Sequence, residues 1–116
     1  MDRTSHRLFV GGRNKIAAII DTDSGKVIAN FPIGSGVDAC AFDPLTHLAF
    51  CSNGDGTITE IDENSANDFT LLGIIATLPK AKTMALDQVT HRIYTSTMIE
   101  DVNGQKSFGV LVLNIK

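Results

Sequence analysis

Ser5-His6-Arg7-Leu8-Phe9-Val10 is followed by Thr46-His47-Leu48-Ala49-Phe50-Cys51 and then by Thr90-His91-Arg92-Ile93-Tyr94-Thr95. The three histidines stand at 6, 47 and 91, at intervals of 41 and 44 residues. The echo extends outward from each of them. Asp2, Asp43 and Asp87 each lie four residues before a histidine, and Asp21 and Asp62 each lie fifteen after one. A period of about 40–50 residues built of short strands predicts the blades of a β-propeller.

With the repeat as a ruler, each blade has four strands, A to D from the propeller axis outward. Strand A is expected over 37–42 and 83–86, and strand B over 7–10, 48–52 and 92–96. Strand C is expected over 16–20, 57–61 and 110–115, and strand D over 27–31 and 71–76. These runs are rich in β-branched and aromatic residues and bounded by Gly, Asn, Asp or Pro. Their near-continuous apolarity suits sheets covered on both faces by neighbouring blades. Asp55-Gly56 and Asp23-Ser24-Gly25 supply tight turns, and Pro44 follows strand A where its fixed φ costs no ladder hydrogen bond. The fold class is all-β: a propeller fragment of about two and a half to three blades of four antiparallel strands. It reads as one partial domain, with an incomplete blade at 1–31, a full blade at 37–76 and an incomplete blade at 83–116. Ten strands do not tile into closed rings by head-to-tail association, so the chain is expected to be a piece of a longer propeller. Missing blades or self-association would then be needed to cover its open faces.

Composition narrows the functional classes. The 116 residues carry a formal charge of −3, which gives no general attraction to nucleic acid, so no nucleic-acid partner is expected. The apolar runs fall far short of the ~20 residues that span a bilayer, and the polar start Met1-Asp2-Arg3-Thr4-Ser5-His6 has no signal-peptide core. A cytoplasmic location and an export signal lying upstream both remain open. Cys40 and Cys51 fall nearly opposite each other across the expected hairpin; they are either two buried thiols acting as small hydrophobes or a disulfide of an oxidising compartment.

At the aligned residues the chain resembles the bacterial YVTN-repeat, YncE-like β-propellers. The strand-B tetrapeptides are Phe9-Val10-Gly11-Gly12, Phe50-Cys51-Ser52-Asn53 and Tyr94-Thr95-Ser96-Thr97. The segment Ile19-Ile20-Asp21-Thr22-Asp23-Ser24-Gly25-Lys26-Val27-Ile28-Ala29 is similar to the family's strand C, turn and strand D. Ala41-Phe42-Asp43-Pro44 with Thr46-His47 is similar to its A-to-B hairpin. The resemblance implies a propeller type that is usually seven-bladed and often exported, hence periplasmic or extracellular. It implies no reaction and no catalytic residue set.

Other motifs resolve into scaffolding. Gly34-Ser35-Gly36-Val37-Asp38-Ala39 fits a dinucleotide fingerprint in letters, but it joins strand D to strand A where that chemistry needs a strand followed by a helix. Asp21-Thr22-Asp23-Ser24-Gly25 begins like a calcium loop but puts Pro32 where a bidentate carboxylate is required. The histidines recur one per blade at the same turn, so they are expected to stabilise turns and not to converge on an ion. No catalytic residue, metal site or cofactor is expected.

Strand direction alternates, so the B–C and D–A loops share one end of the propeller, and the repeated Asp and His residues share the other. The third B–C connection, read as a loop over 97–109, is eight residues longer than its counterparts. Insertions in repeat proteins tend to map to the binding face. The candidate ligand- or partner-binding residues are therefore Arg13, Lys15, Asp55, Lys80, Lys82, Glu100, Asp101 and Lys106. The expected function is a non-enzymatic scaffold segment that binds a protein, small ligand or cell-surface component at this loop end. The alternative is a fragment of a propeller enzyme, lactonase-like or an oxidoreductase, whose active site lies in other blades.

Overall fold

The computed structural model describes residues 1–115; Lys116, the expected limit of the third blade, lies outside the described residues. Ten strands follow one another: β1 (Arg7–Gly12), β2 (Ile16–Asp21), β3 (Val27–Pro32), β4 (Val37–Asp43), β5 (Leu48–Asn53), β6 (Thr57–Ser65), β7 (Asp68–Ala76), β8 (Met84–Asp87), β9 (Arg92–Glu100) and β10 (Lys106–Asn114). They form three antiparallel sheets, β1-β2-β3, β4-β5-β6-β7 and β8-β9-β10, and no helix occurs among the described residues. The register matches the repeat: Arg7 faces Asp21, Leu48 faces Asp62 and Arg92 faces Asn114. β4 packs against both β1 and β8, so the three sheets fan out from their inner strands as blades do.

Side chains alternate across a strand, and here the two sets enter different cores. Phe9, Ala17, Ile19, Phe42, Ala49, Cys51 and Ile61 close the first interface, with Phe31, Phe69 and Leu71 at its margin. Phe9 stacks on Phe42 with ring centres 5.1 Å apart and meets Phe69 edge-on at 6.1 Å. Leu48, Phe50, Ile58 and Ile93 close the second interface, with Met84, Leu86 and Leu113 packed against them. β5 is buried at all six positions because it has a neighbouring sheet on each face. β1 and β10 alternate instead, leaving Leu8 and Val10 on one outer face and Val110 and Val112 on the other exposed. The apolar character of the outer strands is thus only half used within this chain.

The A–B turns explain the repeated letters. His6, His47 and His91 sit at φ 58°, 59° and 58°, a left-handed conformation that His tolerates better than most residues. The aspartate four residues earlier folds the turn by accepting the amide two residues on: Thr4 to Asp2 at 2.8 Å, Leu45 to Asp43 at 3.0 Å and Val89 to Asp87 at 2.9 Å. One such aspartate also braces neighbouring blades, since Asp43 Oδ2 lies 2.5 Å from His91 Nδ1. A second brace is Arg7, whose guanidinium donates to Ala66 O at 2.5 Å, Asn67 Oδ1 at 2.9 Å and Asp21 Oδ1 at 3.1 Å. It holds the β6–β7 turn of the middle sheet onto the first.

Two expectations change. The segment 97–109 is not a loop: β9 runs on to Glu100 and β10 starts at Lys106, with Lys106 facing Glu100 and Phe108 facing Met98. The inserted residues continue both strands in register, so the cheapest way to satisfy their backbone groups is a longer hairpin. Likewise β6 and β7 run to Ser65 and from Asp68, beyond the expected 61 and 71. The cysteine alternatives are decided in favour of a bridge, since Cys40 and Cys51 are directly paired across β4 and β5, 4.2 Å apart at Cα, and joined as a disulfide.

Burial works against ionisation of Asp43, but the hydrogen bonds from His91 and the Leu45 N–H outweigh it and hold the carboxyl below its usual range. A depressed folded value means that this stability is present above the ordinary value of 3.8 and is lost as pH falls through the folded value. Asp43→Asn is expected to cost about 2 kcal/mol at neutral pH and to flatten the acid limb of stability against pH, as urea titrations between neutrality and strong acid would show. Arg7→Met is expected to cost a similar amount, about 2 kcal/mol, by stranding the Ala66 carbonyl. Hydrogen exchange would show the β6–β7 turn losing protection first.

Candidate functional site

The β9–β10 hairpin rises beside the β7–β8 connection and leaves a cleft of about 440 Å³ lined by Pro79, Lys80, Thr97, Met98, Glu100, Lys106 and Phe108. Its geometry follows from local rules. Ala81 is fully buried and its amide donates to Leu78 O at 3.0 Å, which folds the connection into a turn. Lys80 sits in that turn at φ 66° and its amide donates to Gly54 O at 2.8 Å. The turn rests on Gly56, whose φ of 93° suits glycine and where a Cβ would lie 3.0 Å from Pro79 N. Thr97 Oγ1 donates to Pro79 O at 3.0 Å and ties the hairpin to the same turn.

The walls are chemically mixed. Met98 and Phe108, cross-strand neighbours, are both exposed and give an apolar side. Lys106 and Glu100 are also cross-strand neighbours, yet no ion pair joins them among the described residues. With Lys80 the cleft carries two cations against one carboxylate. Such a surface can bind an anion whose body is apolar.

Of the eight residues expected from sequence, Lys80, Glu100 and Lys106 converge here. The others do not line the cleft. Asp55 accepts from the Ser35 amide at 3.0 Å and the Thr57 hydroxyl at 2.6 Å, which ties it to loop structure. Asp101 Oδ1 accepts the amides of Asn103 and Gln105, both at 2.9 Å, and so shapes the hairpin tip. Lys82 contributes its backbone carbonyl to the Ser52 hydroxyl. Arg13 and Lys15 belong to the β1–β2 turn of the first sheet, where the Lys15 amide donates to Gly12 O at 3.1 Å.

Met98 stands in the inserted segment that sequence reasoning singled out for contact, but Phe108 and its pairing with Met98 were missed, because a segment read as a loop has no register. Sequence reasoning also missed the environment of Glu63 at the opposite end. Burial, together with Asp2 beside it, pushes Glu63 up to about 7. Burial opposes ionisation of Asp2 too, yet the Ser5 hydroxyl, Glu63 and the Thr4 N–H bring it down to about 2. A signal was available, since the position after the repeated Asp21, Asp62 and Asn114 holds Thr22, Glu63 and Ile115, and only one of these ionises.

No family model matches the chain, and no curated protein matches it in sequence. Solved structures do match in fold. Dihydro-heme d1 dehydrogenase NirN, in complex with DHE, aligns with a TM-score of 0.66 at 16% identity, over 91% of this chain and 30% of its own. A functionally unknown protein from Desulfotomaculum acetoxidans DSM 771 aligns with a TM-score of 0.63 at 18% identity, over 90% of this chain and 38% of its own. The chain therefore spans roughly a third of the length of these propeller proteins, and the likeness establishes its β-propeller-type fold.

Asp101→Ala is expected to loosen the hairpin tip without unfolding the blades. Losing two backbone hydrogen bonds to an exposed carboxylate corresponds to roughly tenfold faster amide exchange over 99–108. Exchange at Phe50 and Ile58 is expected to stay unchanged.

Proposed function

We propose that this chain is a segment of a YVTN-like, YncE-like propeller acting as a non-enzymatic binding scaffold, with the β9–β10 cleft as its contact site. The observation that carries this reading is the convergence of Lys80 and Lys106 on a cleft walled by Phe108 and Met98. The ligand class that fits is an anion with an aromatic or aliphatic body: the two ammonium groups attract the charge, and the apolar wall takes the rest. Glu100 selects against dianions that would have to approach it directly. Attraction between exposed groups weakens with salt, so binding falls as ionic strength rises.

One observation favours a second reading. A structural neighbour is named as a dehydrogenase, so the blades described here could support a reaction site formed elsewhere in a propeller enzyme. Under that reading the cleft has no ligand of its own.

Benzenesulfonate, a monoanion with an aromatic body, is a suitable probe. Titration followed by NMR is expected to shift the resonances of Thr97, Met98 and Phe108, and the double variant Lys80→Ala, Lys106→Ala is expected to weaken binding at least tenfold. Asp21→Asn with Asp23→Asn, at the other end, is expected to leave it unchanged. Binding that survives the lysine changes, or that disappears with the aspartate changes, would overturn the proposal.

A further inference from the structure

The A–B turns place an aspartate of one blade beside the histidine of the next. At the second interface this gives the Asp43–His91 brace at 2.5 Å. At the first interface the equivalent residues are Asp2 and His47, but His47 makes no side-chain hydrogen bond among the described residues and a third group has entered. The Glu63 amide donates to His47 O at 2.9 Å, which sets the Glu63 side chain beside the turn. One ligand atom each from Asp2, His47 and Glu63 then lie within 4.8 Å of one another.

Two of these groups are deeply buried, Asp2 at 5% exposure and Glu63 at 6%. Glu63 Oε2 is buried with no hydrogen-bond partner, and all three side chains line one cavity of about 480 Å³. An unpartnered buried carboxylate oxygen is costly unless something satisfies it. The nearby cation does not: the hydrogen bonds of Arg7 go to Ala66, Asn67, Asp21 and its neighbour's carbonyl, and none reaches Glu63. A hydrophobic or neutral residue at position 63, as at positions 22 and 115, would have avoided the problem.

The geometry points to a divalent-cation site formed by Asp2, His47 and Glu63, open at the fourth position and suited to Zn²⁺ or a similar borderline metal. One imidazole and two carboxylates are the donor types that such ions take, with water completing the shell. Calcium needs six to eight oxygens, more than these side chains supply. Bonds of about 2.0–2.1 Å at tetrahedral angles separate donor atoms by about 3.3 Å, so the group must draw inward. His47 is exposed, its ring meeting Phe42 edge-on at 6.3 Å, and it is the member of the group that would move toward the two buried carboxylates. The site joins the first and second blades, so the ion would act as an interblade clasp. It lies at the end opposite the cleft and stands independently of the ligand reading above.

Isothermal titration of the full chain with ZnCl₂ tests this directly. Both cysteines are engaged in the disulfide, so no thiolate competes. One-to-one binding is expected, accompanied by a rise in melting temperature. Glu63→Gln is expected to weaken binding at least tenfold and to abolish the thermal shift. His47→Asn, which keeps a residue tolerant of the left-handed turn, is expected to do the same while its circular dichroism stays that of the parent. His6→Asn, at the equivalent turn without the extra carboxylate, is expected to bind as the parent does. Absence of saturable binding to the folded parent, unchanged affinity in both site variants, loss of binding in His6→Asn, or tighter binding of CaCl₂ than of ZnCl₂ would overturn the assignment.

Discussion

A single sheet of three or four strands cannot bury its own apolar side chains, and everything else in this molecule follows from that. Each core belongs to a pair of sheets: Phe9 against Phe42 and Phe69 in one, Phe50 and Ile58 against Ile93 in the other. Fully burying one such side chain is worth roughly 1.5–3 kcal/mol, and none of that gain is available to a sheet alone. The polar devices serve this packing. Arg7 and the Asp43–His91 pair cross between sheets and fix the angle at which the faces meet.

The repeated turn shows how one local solution takes on different roles. An aspartate that accepts an amide two residues ahead and a histidine at positive φ make the same bend three times. Because blades fan around an axis, the bend of one sheet lies near the bend of the next, and the two side chains can meet. At one interface they form a direct brace, and at the other they surround an added carboxylate. One acidic residue, Glu63, thus gives the same joint a different set of polar neighbours at one interface.

Much of the architecture was legible in the sequence because its signals are local and repeated. Ten strands, their order, their antiparallel pairing and the grouping of loops at two ends all follow from the His and Asp register. What stayed hidden depends on contacts that no local pattern carries. The insertion after Thr97 contains Asn103 and Gly104, good turn residues, but only pairing of Lys106 with Glu100 shows that the strands continue around them. The spacing of Cys40 and Cys51 allowed either thiols or a bridge, and only their direct opposition across β4 and β5 decides between them. Of the predicted binding residues, Lys80, Glu100 and Lys106 line one cleft, whereas Asp55 and Asp101 accept backbone amides. Charge and loop position alone cannot distinguish a free side chain from one already in use.

The sixfold burial of β5 has a consequence for how strain spreads through the molecule. Ala49 and Cys51 face one core while Leu48 and Phe50 face the other, so the two cores share a wall one sheet thick. Cooperativity has a bottleneck there. A packing defect beside Ile19 reaches Ile93 only through the middle sheet, where β6 also faces both cores through Ile61 and Ile58, so distant lesions should add as independent terms while lesions flanking that sheet should not. The chain then has two separable regions of mutational tolerance, joined by a sheet where tolerance is lowest.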